Sequence, residues 1–164
     1  MAMTIKTEGI SELNLMLAKL GSRAQDVASG ALYDGAGVVA DAFTRATESI
    51  QTEKFDYAPP GKTRLPSPEE KDALKRKTGI ARFRKNGGEV DTMVGIGSGS
   101  GSGYVMMAGK RKAVRLIARS INSGTSFMKK QPVYRKAVSS CRKQAEAAIV
   151  SKAEQMFNQI INGK

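Results

Sequence analysis

Three groups of residues in this chain have types and spacings that could do chemistry. In the first, Gly103 and Gly109 precede Lys110, the order in which a phosphate-cradling loop presents its residues. Such a loop separates its glycines by four residues and follows the lysine with Ser or Thr to hold magnesium. Here five residues intervene and Arg111 follows the lysine. No glycine triplet between Gly95 and Gly109 satisfies G-x-G-x-x-G either, so a phosphate cradle is not expected. The second group is Glu69, Glu70 and Asp72, whose oxygens could ligate a cation. Lys71, Lys75, Arg76 and Lys77 interleave them, and the set reads as a solvated helix of mixed charge. The third group is basic: Arg82, Arg84 and Lys85, then Lys110, Arg111, Lys112, Arg115 and Arg119. Phosphate contact needs little more than positive charge, so these eight form a candidate surface facing a partner or DNA. Phe83 and Tyr104 are too few for a base-stacking platform.

What is missing narrows the chemistry further. The chain has no His and one Cys. That removes the commonest general base, every His-containing triad and the usual zinc sites. Cys141 cannot form an intrachain disulfide and reads as a small buried residue on a helix. No catalytic constellation, metal site or cofactor is expected, and the chain is not expected to be an enzyme.

Charge is polarised along the sequence. Residues 1–56 carry five basic and eight acidic side chains, whereas residues 92–145 carry eleven Lys or Arg and no acid. A solvated face usually mixes both signs, so this stretch should meet something acidic: DNA, RNA or a neighbouring subunit.

The elements that must position these residues follow from periodicity. A short strand is expected at 3–7. Gly9 and Ser11 then introduce a helix with Ile10, Leu13, Leu17 and Leu20 on one face. A longer helix over 23–49 should turn Val27, Ala31, Val38, Ala42 and Ala46 inward. Its Gly30, Gly35 and Gly37 imply close approach of another helix, or a kink near Asp34. Four prolines make 54–68 an extended loop, and Pro68 starts a charged helix over 69–77. Strands 80–84 and 90–96 flank Asn86-Gly87-Gly88 as a hairpin, with Val90, Thr92, Val94 and Ile96 on one face. The Gly-Ser alternation over 97–103 reads as a mobile loop. Val114, Ile117 and Ile121 mark a short helix ending at Gly124. Pro132 opens a final helix to about 161, striped by Val133, Ala137, Val138, Cys141, Ala145, Ala148, Ile149, Met156 and Ile160. The expected fold class is α+β in one domain over 1–164. N-terminal helices and a long C-terminal helix pack on a small antiparallel sheet or hairpin, with long flexible loops. The amphipathic opening does not read as a signal peptide, and no apolar run reaches membrane-spanning length.

The stretch from Ile121 to Val138 (INSGTSFMKKQPVYRKAV) resembles a signature of tailed-bacteriophage neck or tail-completion proteins, the head–tail joining family. Gly124-Thr125, Gln131-Pro132, Arg135 and Ala137 match its Gly-Thr pair and the Pro-aromatic-x-Arg-x-Ala segment that opens its last helix. Gly9-Ile10-x-x-Leu13 is similar to its opening. Two departures stand out. Val133 follows Pro132, with the aromatic at Tyr134, and residues 59–65 (PPGKTRL) replace a common Asp-Thr-Gly-x-Leu segment.

Physically, Gly124 permits the positive φ that ends a helix, and Thr125 or Ser126 can satisfy a nearby backbone donor. Arg135 lies in a first helical turn, where the dipole disfavours it. It calls for a carboxylate partner, or lies over apolar surface. The resemblance implies a structural virion protein, made in the host cytoplasm, forming a ring of identical copies at the head–tail junction. A hexamer is the first expectation and a dodecamer the second. Implied partners are the head connector or stopper, the tail tube or tail terminator, and DNA passing non-specifically through the channel, with no membrane. Gly124, Thr125, Gln131, Pro132 and Arg135 are the candidate subunit or partner interface. A small basic protein binding nucleic acid non-specifically is the alternative.

Overall fold

The computed structural model describes residues 2–4, 21–54, 61–86, 89–97 and 103–161. Strand β1 (Ala2–Thr4) lies where a strand was expected, while the helix expected from residue 10 onward lies outside the described residues. A 3₁₀ turn at Gly21–Arg23 leads into α1 (Ala24–Glu48). Then come α2 (Pro68–Lys77), β2 (Thr78–Ile80), β3 (Arg84–Asn86), β4 (Glu89–Asp91) and β5 (Met93–Ile96). The chain continues through β6 (Tyr104–Met107), β7 (Lys110–Ala113), α3 (Val114–Ser123) and α4 (Val133–Ile161). The class is α+β, with a long C-terminal helix and small antiparallel sheets.

The frame is the antiparallel pair α1 and α4. Small residues let the two backbones approach. A Cβ on Gly35 would overlap the Ile149 side chain and lie 3.1 Å from the Ala145 carbonyl oxygen. One on Gly30 would lie 2.6 Å from Met156 Sδ. Close approach therefore explains these two glycines, and α1 is continuous through Gly35 without a break. Gly37 is different, because a Cβ there meets nothing within 4 Å. The inner face of α1 contains Val27, Ala31, Ala42 and Ala46 as expected, but Val39 rather than Val38 is the fully buried valine. Ala36 and Phe43 are also buried. The helix packs on two sides, so its apolar arc is wider than one stripe predicts. On α4 the buried residues are Tyr134, Cys141, Ala145, Ile149 and Ala153, with Val133, Ala137, Val138, Met156 and Ile160 packed beside them.

The expected hairpin is present, but with a defect in its register. Thr78, Gly79 and Ile80 pair with Ile96, Gly95 and Val94, whereas Arg84, Lys85 and Asn86 pair with Asp91, Val90 and Glu89. The Ala81 N–H still donates to the Met93 carbonyl at 2.7 Å. Residues 82 and 83 therefore face Thr92 alone, which is a β-bulge. The bulge carries Phe83, whose ring centroid lies 6.3 Å from that of Tyr33 on α1. Strand β1 completes a three-stranded sheet by pairing with β5. Val94 and Ile96 are buried in the core, while Val90 and Thr92 are half-buried. The hairpin tip at Gly87-Gly88 lies outside the described residues.

Candidate interaction surface

The segment that carries the family resemblance forms a joint between helices. Gly124 has φ 75°, and Lys130 fills the space where a side chain would stand, with its Cβ 3.0 Å from the ideal Cβ position. Thr125 Oγ1 accepts from the Met128 N–H at 3.0 Å, the local satisfaction expected of it. The Gln131 side chain clasps the chain beyond α1. Its Oε1 accepts from the Gln51 N–H at 2.9 Å, and its Nε2 donates to the Gln51 carbonyl at 3.0 Å. Pro132 stands one residue before α4, which begins at Val133. Gly124, Thr125 and Gln131 thus have defined work within the chain. Arg135 is exposed and has no carboxylate partner among the described residues. Tyr134 points into the core, where it stacks on Phe43 with centroids 5.3 Å apart.

Sequence reasoning missed the residue that fastens this joint. Arg64 pairs through its backbone with both sides of Met128: its N–H donates to the Phe127 carbonyl at 2.9 Å, and its carbonyl accepts from the Lys129 N–H at 2.8 Å. Its guanidinium makes two 2.7 Å bonds to the Glu70 carboxylate, and both side chains are buried. Glu70 is therefore not part of a solvated helix, contrary to the expectation. Its carboxylate also accepts from the Ser67 N–H at 3.0 Å, while Ser67 Oγ accepts from the Glu70 N–H, a complete capping box. Burial alone would push the Glu70 carboxyl up. The Arg64 and Ser67 hydrogen bonds and the charges of Arg64 and Lys112 outweigh it, holding the group below its ordinary value.

The loop expected over 54–68 is correspondingly tied down where it is described. The Glu53 N–H donates to the Pro66 carbonyl at 3.1 Å, and Glu53 Oε1 accepts from the Leu65 N–H at 2.6 Å. Lys71 closes the C-terminus of α1, donating to the carbonyls of Glu48 and Ile50 at 2.8 and 3.0 Å.

The basic candidates divide into two groups. Arg84 spends its charge on Asp91 at 2.9 Å, and Lys85 lies 3.9 Å from Asp26. Arg82 is exposed on the bulge. The second group sits on α3 and on a hairpin before it, β6 and β7, that periodicity did not reveal. Lys112 lies 3.9 Å from Glu70, and Arg111 covers the Tyr104 ring at 4.1 Å, a cation–π contact. Lys110, Arg115 and Arg119 are exposed with no ion pair among the described residues. The hairpin turns at Ala108-Gly109, with φ 48° and 71°, and the Gly103 carbonyl accepts from the first amide of α3 at 2.9 Å.

A shallow groove of about 550 Å³ runs between α1 and α4, lined by Ala42, Arg45, Lys136, Ser140, Cys141 and Gln144 among others. Burial pushes the Cys141 thiol up, so it is a poor nucleophile. Among the described residues no three His, Cys, Asp or Glu lie where they could hold a metal ion, and no helix is long and apolar enough to cross a membrane. The arrangement can bind and fasten. No family model, curated protein or solved structure matches this chain.

Proposed function

We propose that this chain is a non-catalytic structural subunit of a tailed-phage virion. It would form a ring at the head–tail interface and join the connector to the tail during assembly. The observation that carries the reading is the joint at residues 121–138. Of the residues that match the neck and tail-completion signature, Gly124 ends α3, Thr125 caps the turn and Gln131 ties it to Gln51, while the intervening backbone of Phe127 and Lys129 pairs with Arg64. A signature built of such residues fits a protein whose shape is its function. Uncompensated Lys110, Arg115 and Arg119 support contact with an acidic neighbour. A hexamer is favoured and a dodecamer is the second choice. Partners would be the connector or stopper on one side and the tail tube or terminator on the other, with DNA passing through.

The test is the mass of the purified protein in solution at two salt concentrations, with and without duplex DNA and neck partners. A discrete ring, or a monomer that assembles only with neck partners, supports the reading. The second reading, non-specific nucleic-acid binding, is favoured by those same three cations. It predicts a monomer whose mass shifts only with DNA and only at low salt.

A further inference from the structure

Among the described residues six large apolar side chains are exposed, and Tyr104, Met106 and Leu116 fall together on the β6–β7 hairpin and the helix that follows it. Met106 pairs with Arg111 and Tyr104 with Ala113, and directly opposed residues share a face of a ribbon. Tyr104, Met106 and Arg111 therefore stand on one side. Val105, Met107 and Lys112 stand on the other, where Met107 is buried in the core and Val105 packs against it. On α3, Val114, Ile117, Ala118 and Ile121 turn inward, leaving Arg115, Leu116 and Arg119 exposed. Arg, Tyr and Met are the side chains enriched where proteins meet proteins. A phosphate backbone would use the arginines but gain nothing from Met106, 64% exposed, or Leu116.

The complementary surface is on the same chain. Asp34, Asp41 and Glu48 recur at intervals of seven along α1 and so form one exposed stripe. Tyr33 stands next to Asp34 and is 58% exposed. Asp41 makes no ion pair among the described residues, Asp34 meets Lys152 only at 3.9 Å, and Glu48 is held by Lys75 at 2.8 Å. Two basic faces brought together repel, so an isologous dimer through the hairpin is disfavoured. Basic face on acidic stripe uses a different surface on each side and leaves one of each free, so the contact repeats and can close into a ring.

We infer that the β6–β7 and α3 face of one copy (Tyr104, Met106, Arg111, Arg115, Leu116 and Arg119) docks on the outward face of α1 of the next copy, around Tyr33, Asp34 and Asp41. This rests on the ring reading above and names its surfaces. The test uses two charge reversals of exposed residues, R115E/R119E and D34K/D41K, each checked for an unchanged circular dichroism spectrum. Each variant alone should need roughly tenfold more protein, or more, to assemble. An equimolar mixture should assemble like wild type, because each variant's altered face then meets its opposite on the other.

Wild-type rings with both variants assembling normally would overturn the surfaces and leave the ring reading standing. A wild type that stays monomeric by itself overturns the self-docking, whether or not neck partners recruit it. A monomer that binds duplex DNA and loses it in R115E/R119E overturns it too, and assigns the face to nucleic acid.

Discussion

The Tyr134 hydroxyl lies 3.0 Å from Thr47 Oγ1, joining the first turn of α4 to the last of α1 across 87 residues of chain. The single proton of Thr47 is given to the Phe43 carbonyl at 2.9 Å, so Tyr134 is the donor to Thr47. Burial pushes its phenol up to about 12. The folded protein therefore favours the neutral phenol. The stability this contributes is complete below pH 10, the ordinary value, and is lost as pH rises towards 12. Phenolate absorbance should show a late phase near pH 12 that Tyr134→Phe removes. Tyr134→Phe should cost about 0.5–1.5 kcal/mol in denaturant unfolding, and Tyr134→Ala about 3–5. A Tyr134→Phe protein of unchanged stability would mean that the bond is idle.

Arg64 and Glu70 should show the asymmetry of buried ion pairs. Arg64→Met alone leaves a buried carboxylate without its partner and should destabilise by about 3–5 kcal/mol. The double variant R64M/E70L should recover most of that loss, less the capping bond to Ser67. The Glu70 carboxyl is held low in the folded state, so its contribution is present above the ordinary carboxylate range and disappears as pH falls below it. Unfolding curves at acid pH should be less steep in pH for the double variant. Equal losses in the single and double variants would count against the pair.

Two glycines on α1 should respond oppositely to the same substitution. Gly35→Ala drives a methyl into Ile149 and should destabilise by about 1–3 kcal/mol. Gly37→Ala enters open space within a helix and should stabilise by about 0.5–1 kcal/mol. Thermal unfolding of both proteins checks the pair, and losses of similar size in the two would contradict the packing described.

Gln131→Ala removes both hydrogen bonds to Gln51 at a partly exposed site, and a cost of about 1–2 kcal/mol is expected. Hydrogen exchange at the Gln51 amide should accelerate more than exchange at Ile50. Protection unaltered at Gln51 would show that the clasp does not form in solution.

The long elements were legible because their periodicity is strong: α4, α3 and the end of α3 at Gly124 follow directly from apolar spacing and one turn residue. The β6–β7 hairpin was not. Lys110-Arg111-Lys112 hides the strand alternation, since only Met107 and Val105 on the opposite strand reach the core. The turn at Ala108-Gly109 also lacks the Asn or Asp that usually announces positive φ. Ser67-x-x-Glu70 has the spacing of a capping box, although only the helix start at Pro68 was expected there. The pairing of Glu70 with Arg64 was not legible, because that depends on where a proline-rich loop crosses Met128. Seven of the eight basic residues are exposed and Lys112 is half-buried. Which of them meet a carboxylate (Arg84, Lys85 and Lys112) and which do not depends on tertiary contacts that no local pattern encodes.

The chain has one cysteine, and it sits in the α1–α4 contact, 3% exposed, with its thiol 3.5 Å from the Val138 carbonyl. In the closed state an alkylating reagent finds neither an accessible sulfur nor an appreciable thiolate. Labelling therefore requires a local opening that exposes the sulfur, either at the helix contact or on the side of the groove that it lines. The rate of that reaction reports how often this part of the α1–α4 contact opens, with no substitution needed to place the probe.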